Sequence, residues 1–118
     1  MAFPSELNIT YYKGDTYEFN IYPKKNGSTV FSLEGYSIKF TIALTRGATS
    51  IIEGYAAISS DNTYATCAIT PGAGASMTAG TQYVYDVEVK KSATPYNLVH
   101  TLLTGNVTVT EQVTPAGA

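Results

Sequence analysis

The chain has 118 residues, of which 44% are hydrophobic and only 14% are charged, and its formal net charge is −2. This length suits one domain. Nucleic-acid binding proteins normally carry a basic face because contacts with phosphates supply much of their affinity. With only seven Lys and Arg residues, direct nucleic-acid binding is not expected. No apolar run approaches the ~20 residues that span a bilayer, so no membrane association is expected either.

Hydrophobic alternation with a period of two, the pattern of half-buried strands, recurs along the chain. It is strongest in four segments, residues 16–22, 36–44, 82–90 and 106–110. Weaker strand patterns cover residues 7–12, 51–57, 63–69 and 98–103. In the second strong segment, the pattern places Leu44 on the same face as Ile38, Phe40 and Ile42. In the third, Tyr83, Tyr85, Val87 and Val89 share one face. These two faces are predicted to form the core.

Turn residues separate the predicted strands. Asn26-Gly27 is a strong hairpin signal, and Leu33-Glu34-Gly35 and Ser60-Asp61-Asn62 are further turn candidates. Residues 73–79 are predicted to contain one short helical turn, because nearby glycines disfavour a longer helix.

Short strands separated by turns predict an all-β fold, an immunoglobulin-like antiparallel β-sandwich of about seven to nine short strands. The predicted sandwich covers residues 7–113, with an N-terminal arm at residues 1–6 and a loose tail at residues 114–118. Tyr83 and Tyr85 stand where such folds place a tyrosine corner, in which a hydroxyl ties the incoming loop to the strand. The alternative is that both are ordinary core aromatics.

Residues able to support catalysis or metal binding are scarce. Cys67 and His100 are the only cysteine and histidine, which leaves too few ligands for a zinc site and excludes an intramolecular disulfide. Asp86, Glu88 and Lys90 share one strand face, and a solvated or interface-facing stripe is the favoured interpretation. We therefore predict no catalytic residue, no metal and no cofactor.

The ten tyrosines leave two interpretations open. Aromatic faces can stack on sugar rings, and tyrosine is also enriched in protein interfaces. The interface interpretation is favoured.

Several motifs follow one another in a characteristic order along most of the chain. They are Tyr12-Lys13-Gly14-Asp15-Thr16, Leu33-Glu34-Gly35-Tyr36, Ile38-Lys39-Phe40-Thr41-Ile42, Gly80-Thr81-Gln82-Tyr83-Val84-Tyr85-Asp86-Val87 and Thr101-Leu102-Leu103-Thr104-Gly105-Asn106-Val107-Thr108-Val109. In this order the chain resembles small immunoglobulin-like virion proteins of tailed bacteriophages.

The resemblance implies a virion component present in many copies and assembled in the host cytoplasm. A capsid decoration or cement protein that binds the major capsid protein is favoured, because baseplate relatives more often carry this domain at the start of a longer chain. A tail or baseplate component and a virion-surface carbohydrate-binding module are the alternatives, and copies of the chain itself are a further class of partner. Candidate partner-binding residues are Phe3, Tyr11, Tyr12 and Tyr22, and the segment containing Phe3 is a candidate arm that orders on binding.

Overall fold

A computed structural model describes residues 5–24, 29–49 and 51–111. Within these ranges the chain forms nine strands and one helical turn, which confirms the predicted all-β class. The elements in chain order are β1 (Ser5–Glu6), β2 (Ile9–Tyr12), β3 (Tyr17–Ile21), β4 (Ser37–Ala43), β5 (Ile52–Glu53), β6 (Tyr55–Ile58), β7 (Ala65–Ile69), α1 (Pro71–Gly74), β8 (Gln82–Lys91) and β9 (Leu98–Thr110).

The larger sheet has six strands in the order β1-β9-β8-β4-β5, and β2 continues the edge that β1 begins along β9. The first two strands run parallel to β9, with Ser5 opposite Leu103 and Ile9 opposite Val107. The remaining neighbours in this sheet are antiparallel. The beginning and the end of the described chain are therefore held together in one sheet.

The smaller sheet contains β3, β7 and β6 in that order, all antiparallel. Buried side chains from both sheets form one hydrophobic cluster, so the sheets pack face to face. The chain passes between the two sheets several times, and its first strands lie beside its last one. This arrangement is the predicted immunoglobulin-like β-sandwich.

Phe40 lies at the centre of the core and is fully buried. Its ring makes edge-to-face contacts with Phe19 of the smaller sheet, at 5.6 Å between ring centroids, and with Tyr85 of its own sheet, at 5.5 Å. The predicted inner faces of β4 and β8 are thus confirmed. Leu44 is an exception, because it follows the last residue of β4 and is 58% exposed.

Gly54 divides the predicted strand at residues 51–57 into β5 and β6, which belong to different sheets. Its backbone N–H donates to the Phe40 carbonyl at 2.9 Å. A Cβ atom at this position would overlap the Phe40 ring. The prediction of one strand is wrong because only a residue without a side chain lets the chain cross the core this closely.

The two patterns predicted at residues 98–103 and 106–110 join into the single strand β9. A bulge opposite Val87 and Glu88 gives β9 one extra residue. As a result Leu102 and Leu103 are both buried although they are adjacent. Strict alternation would have turned one of them toward solvent.

Two tyrosine hydroxyls fasten loops to the larger sheet. The Tyr83 hydroxyl accepts a hydrogen bond from the Thr78 backbone N–H at 2.9 Å, which ties the loop before β8 to that strand as a tyrosine corner does. The Tyr85 hydroxyl donates to the Leu7 carbonyl at 2.6 Å. Both side chains are also buried in the core, so each of the two predicted interpretations holds in part.

Ser5 and Glu6, the last two residues of the predicted N-terminal arm, form β1 against β9. The Leu7 N–H continues this attachment by donating to the Thr104 carbonyl at 3.0 Å. Residues 1–4, Asn26-Gly27 and the predicted tail at residues 114–118 lie outside the described residues.

The helical turn begins earlier than the predicted residues 73–79, at Pro71. The Thr70 side chain accepts a hydrogen bond from the Ala73 N–H at 3.2 Å and caps this turn. Proline is favoured at the first helical position because its missing N–H would have no partner there.

The crossing at Gly54 predicts a large difference between two glycine substitutions. We expect Gly54→Ala to lower the free energy of unfolding by about 1–3 kcal/mol or more, because the added methyl group overpacks the Phe40 ring. Gly72→Ala is the control, since Gly72 lies in the helical turn and a Cβ there has only the Thr70 hydroxyl at 4.0 Å as a neighbour. Urea unfolding curves measure both variants, and equal stabilities would contradict the crossing.

Because a thiol and two tyrosine hydroxyls are buried in their protonated form, we expect the protein to lose stability in alkaline solution. Burial raises the pKa of the Cys67 thiol to about 12 from its ordinary value of 9.0, and burial also raises the pKa of Tyr11 and Tyr85. Because the unfolded chain loses these protons first, the free energy of unfolding falls as pH rises from about 9 toward 12. We expect this decline to be shallower in Cys67→Ala, measured by urea unfolding at a series of pH values. The same slope in both proteins would contradict the contribution of Cys67.

Candidate partner-binding surface

The four predicted partner-binding residues differ in position and burial. Phe3 lies outside the described residues. Tyr11 is fully buried, and its hydroxyl donates to the Asp15 carbonyl at 2.7 Å. Tyr11 is therefore a core residue that closes the turn between β2 and β3. The prediction that its side chain contacts a partner is corrected, because alternation along β2 turns it inward with Ile9.

Tyr12 is the last residue of β2 and is 51% exposed on the outer face of the six-stranded sheet. It lies opposite Thr110, and the neighbouring pair on the same face of the sheet is Thr10 with Thr108. The surroundings of Tyr12 are therefore rich in threonine. Within these two residue pairs, Tyr12 is the only aromatic residue.

Tyr22 follows β3 and is 56% exposed. Extending the β3–β7 register by one residue beyond Ile21 and Ala65 places Tyr22 opposite Tyr64. The two rings stack with their centroids 5.1 Å apart and an interplanar angle of 30°. Tyr12 and Tyr22 belong to different sheets, so the predicted residues do not form one site.

The structure instead groups tyrosines on the outer face of the three-stranded sheet. Tyr55 of β6, which is 53% exposed, lies opposite Ala68 and on the same side of the sheet as Tyr22 and Tyr64. We call this outer surface the tyrosine face. It comprises Glu18, Asn20, Tyr22, Tyr55, Ala57, Tyr64 and Thr66, and Ala68, which is only 5% exposed, lies beneath their side chains.

The middle of the tyrosine face has small or neutral side chains and carries little charge. Ala57 and Ala68 have small side chains, and Asn20 accepts a hydrogen bond from the Thr66 hydroxyl at 2.8 Å. Glu18 is the charged residue of the face. The face offers aromatic rings and neutral hydrogen-bonding groups on a regular sheet, which is the chemistry of a contact surface.

Sequence reasoning missed Tyr55 and Tyr64 for different reasons. Tyr64 shares its alternation with Thr66 and Ala68 in the segment predicted as a strand, so its outward direction could have been found from that pattern. Tyr55 could not be assigned to this face, because the sequence pattern did not show that the chain changes sheets at Gly54.

A groove of about 620 Å³ lies beside β4 and β5, at the edge of the six-stranded sheet. Leu44 and Ile51, both exposed, lie at its rim, and Tyr83 contributes to its wall. Glu53 is the carboxylate among its described lining residues. That lining has no second titratable carboxylate and no histidine or thiol to pair with it.

The residues whose side chains could act as nucleophiles, bases or metal ligands have structural roles in this fold. Cys67 is fully buried, and its raised pKa keeps the thiol protonated near neutral pH. His100 packs against the rings of Phe31 and Tyr36, at centroid distances of 5.5 and 6.2 Å. Among the described residues, no group of three or more His, Cys, Asp or Glu side chains could hold a metal ion.

Charged residues form a separate stripe on the outer face of the six-stranded sheet. Asp86 and Glu88 lie opposite Thr41 and Lys39, which confirms that they share a face. Lys39 also pairs with Glu53 at 3.8 Å, and both side chains are more than half exposed. Exposed pairs of this kind contribute little to stability. The stripe is therefore a solvated surface that carries charges of both signs.

Asp61 forms the predicted turn between β6 and β7. It accepts hydrogen bonds from the hydroxyls of Thr63, at 2.7 Å, and Ser59, at 2.8 Å, and these bonds lower the pKa of its carboxyl. Its local partners are the residues of its own turn, so the carboxylate stabilises the loop.

In the part of the chain that the structure describes, the helical turn is four residues long, and no helix has the length and apolar character needed to cross a bilayer. No protein-family model matches this chain, and no curated protein matches it.

Proposed function

We propose that this chain is a non-enzymatic virion structural protein that decorates a capsid and stabilises the lattice of the major capsid protein. The tyrosine face is the observation that carries the binding role, because it presents aromatic rings on a rigid sheet. The order of the sequence motifs supports the virion setting.

The motif residues have structural roles that explain why they recur together. The Gly14 turn has a φ of 97° and is closed by the hydrogen bond from Tyr11 to Asp15. A Cβ atom at Gly105 would collide with the Leu7 carbonyl, which Tyr85 also binds. The motifs thus support a shared architecture. Tyr55 and Tyr64 lie outside the motifs and contribute the surface that we assign to binding.

Aromatic residues suit this role because they bury a large area at a small cost in side-chain entropy. Tyr22 is held by its stack on Tyr64, so it loses less conformational freedom on binding than an isolated side chain. A contact of modest strength is sufficient when many copies bind neighbouring subunits of one shell, because the individual contacts add.

The proposal predicts that the chain is abundant in purified virus particles from its source. Quantitative mass spectrometry of these particles should recover it in numbers comparable to the major capsid protein and well above any tail protein. Recovery at only a few copies per particle would favour the tail or baseplate alternative. Absence from particles would overturn the virion assignment.

Binding to capsids that lack this protein tests the tyrosine face itself. We expect the double variant Tyr22→Ala and Tyr55→Ala to weaken binding by at least about 30-fold, because contact residues of this kind contribute about 2 kcal/mol or more. Tyr96→Ala is the matched control, since Tyr96 is 69% exposed and lies in the loop between β8 and β9. Cosedimentation with capsids measures the affinity of the unmodified chain, the double variant and the control, and thermal unfolding verifies that each is folded. Unchanged binding by the double variant would show that another surface is used.

A further inference from the structure

The edge of β6 has backbone groups available for pairing. Ser59 N–H donates to the Tyr64 carbonyl at 2.9 Å, just beyond the pair of Ile58 with Ala65. Hydrogen-bonded pairs alternate along an antiparallel ladder. The N–H and C=O groups of Tyr55 and Ala57 therefore point toward β7, and those of Ala56 and Ile58 point toward the free edge.

This edge also lacks the usual protection against pairing with another chain. Edge strands are commonly blocked by charged residues, proline or a bulge. Tyr55–Ile58 contains no charged residue and no proline, and its register with β7 is continuous. By contrast, the β5 edge carries Glu53 in an ion pair with Lys39, and the β3 edge carries Glu18.

We propose that β6 pairs antiparallel with β6 of a second copy of this chain, with Ala57 opposite Ala57 at the two-fold axis. In this register Ala56 lies opposite Ile58 of the second copy, so both outward-pointing residues of each strand are hydrogen-bonded. The two three-stranded sheets then form one continuous sheet of six strands.

The neighbouring registers fit the strand less well. A shift by one residue places outer-face side chains opposite inner-face ones, because side chains alternate along a strand. A register centred on Ala56 would pair Ile58 with Gly54, whose N–H already donates to the Phe40 carbonyl. A register centred on Ile58 would place Ala56 opposite Ser60, which lies in the turn after β6. The register centred on Ala57 is thus the one that pairs Ala56 and Ile58 with each other inside the strand.

Side chains in this register are complementary between two copies. Ala57 faces itself in a non-hydrogen-bonded pair, where Cα atoms are only about 4.5 Å apart and a small residue fits well. Tyr55 lies opposite Ser59 of the other copy, and no like charges are opposed from Tyr55 to Ser59. Within the segment from Tyr55 to Ser59, a second copy therefore pairs with this edge without opposing charges. The interface is short, so we expect a weak dimer.

Cross-linking of the isolated protein tests the register directly. We expect Ala57→Cys to form a disulfide-linked dimer under mild oxidation, because the predicted Cα separation falls within the range for disulfides, about 4.4–6.8 Å. Gln82→Cys is the control, since Gln82 is an exposed strand residue of the other sheet. The native Cys67 is fully buried and adds little background. A cross-linking yield no greater for Ala57→Cys than for Gln82→Cys would overturn the proposed register.

Hydrogen exchange of the unmodified chain provides a second measurement that needs no substitution. We expect exchange of the Ala56 and Ile58 amides to slow as protein concentration increases, whereas the Ala57 amide is protected by β7 at every concentration. Exchange of Ala56 and Ile58 that is fast and independent of concentration would overturn the proposal. Both tests use isolated protein, so their outcome is independent of the virion assignment and of capsid binding.

Discussion

The close approach of Gly54 to the Phe40 ring is the constraint on which most of this architecture depends. Phe40 joins the two sheets through its contact with Phe19, and it also packs against Tyr85 of its own sheet. The chain can pass over this ring only where it has no side chain. This crossing converts one apolar stretch into an edge strand for each sheet, so it completes the sandwich and also creates the free edge of β6.

A second constraint joins the beginning of the described chain to its end. The Leu7 carbonyl accepts a hydrogen bond from the Tyr85 hydroxyl, and Gly105 leaves space for that carbonyl beside β9. Parallel pairing of β1 and β2 with β9 then covers the outer edge of the larger sheet. Because buried hydrogen bonds are costly to leave unmade, this junction fixes the register of the first strands.

The two outer faces of the sandwich differ in chemistry, and this difference underlies the proposed function. The six-stranded sheet presents threonines and opposite charges, which interact well with water. The three-stranded sheet presents Tyr22, Tyr55 and Tyr64 around small side chains and a single carboxylate. Water is displaced more easily from such a face, which favours contact with another protein. The free edge of β6 borders the same face, so pairing of two copies would double its area without covering the rings of Tyr22 and Tyr64.

The sequence by itself determined the all-β class, the strong strands β3, β4 and β8, and the inward direction of Tyr83 and Tyr85. These features follow from alternation, which is a local property of a strand. Tertiary structure alone decided that Gly54 divides a strand and that Tyr55 lies on the same outer face as Tyr22 and Tyr64. Both depend on the crossing between the sheets at Gly54, which alternation along a strand does not reveal. Alternation of side chains shows which residues share a face of a strand. Only packing decides which of the two faces is covered and which remains available to a partner.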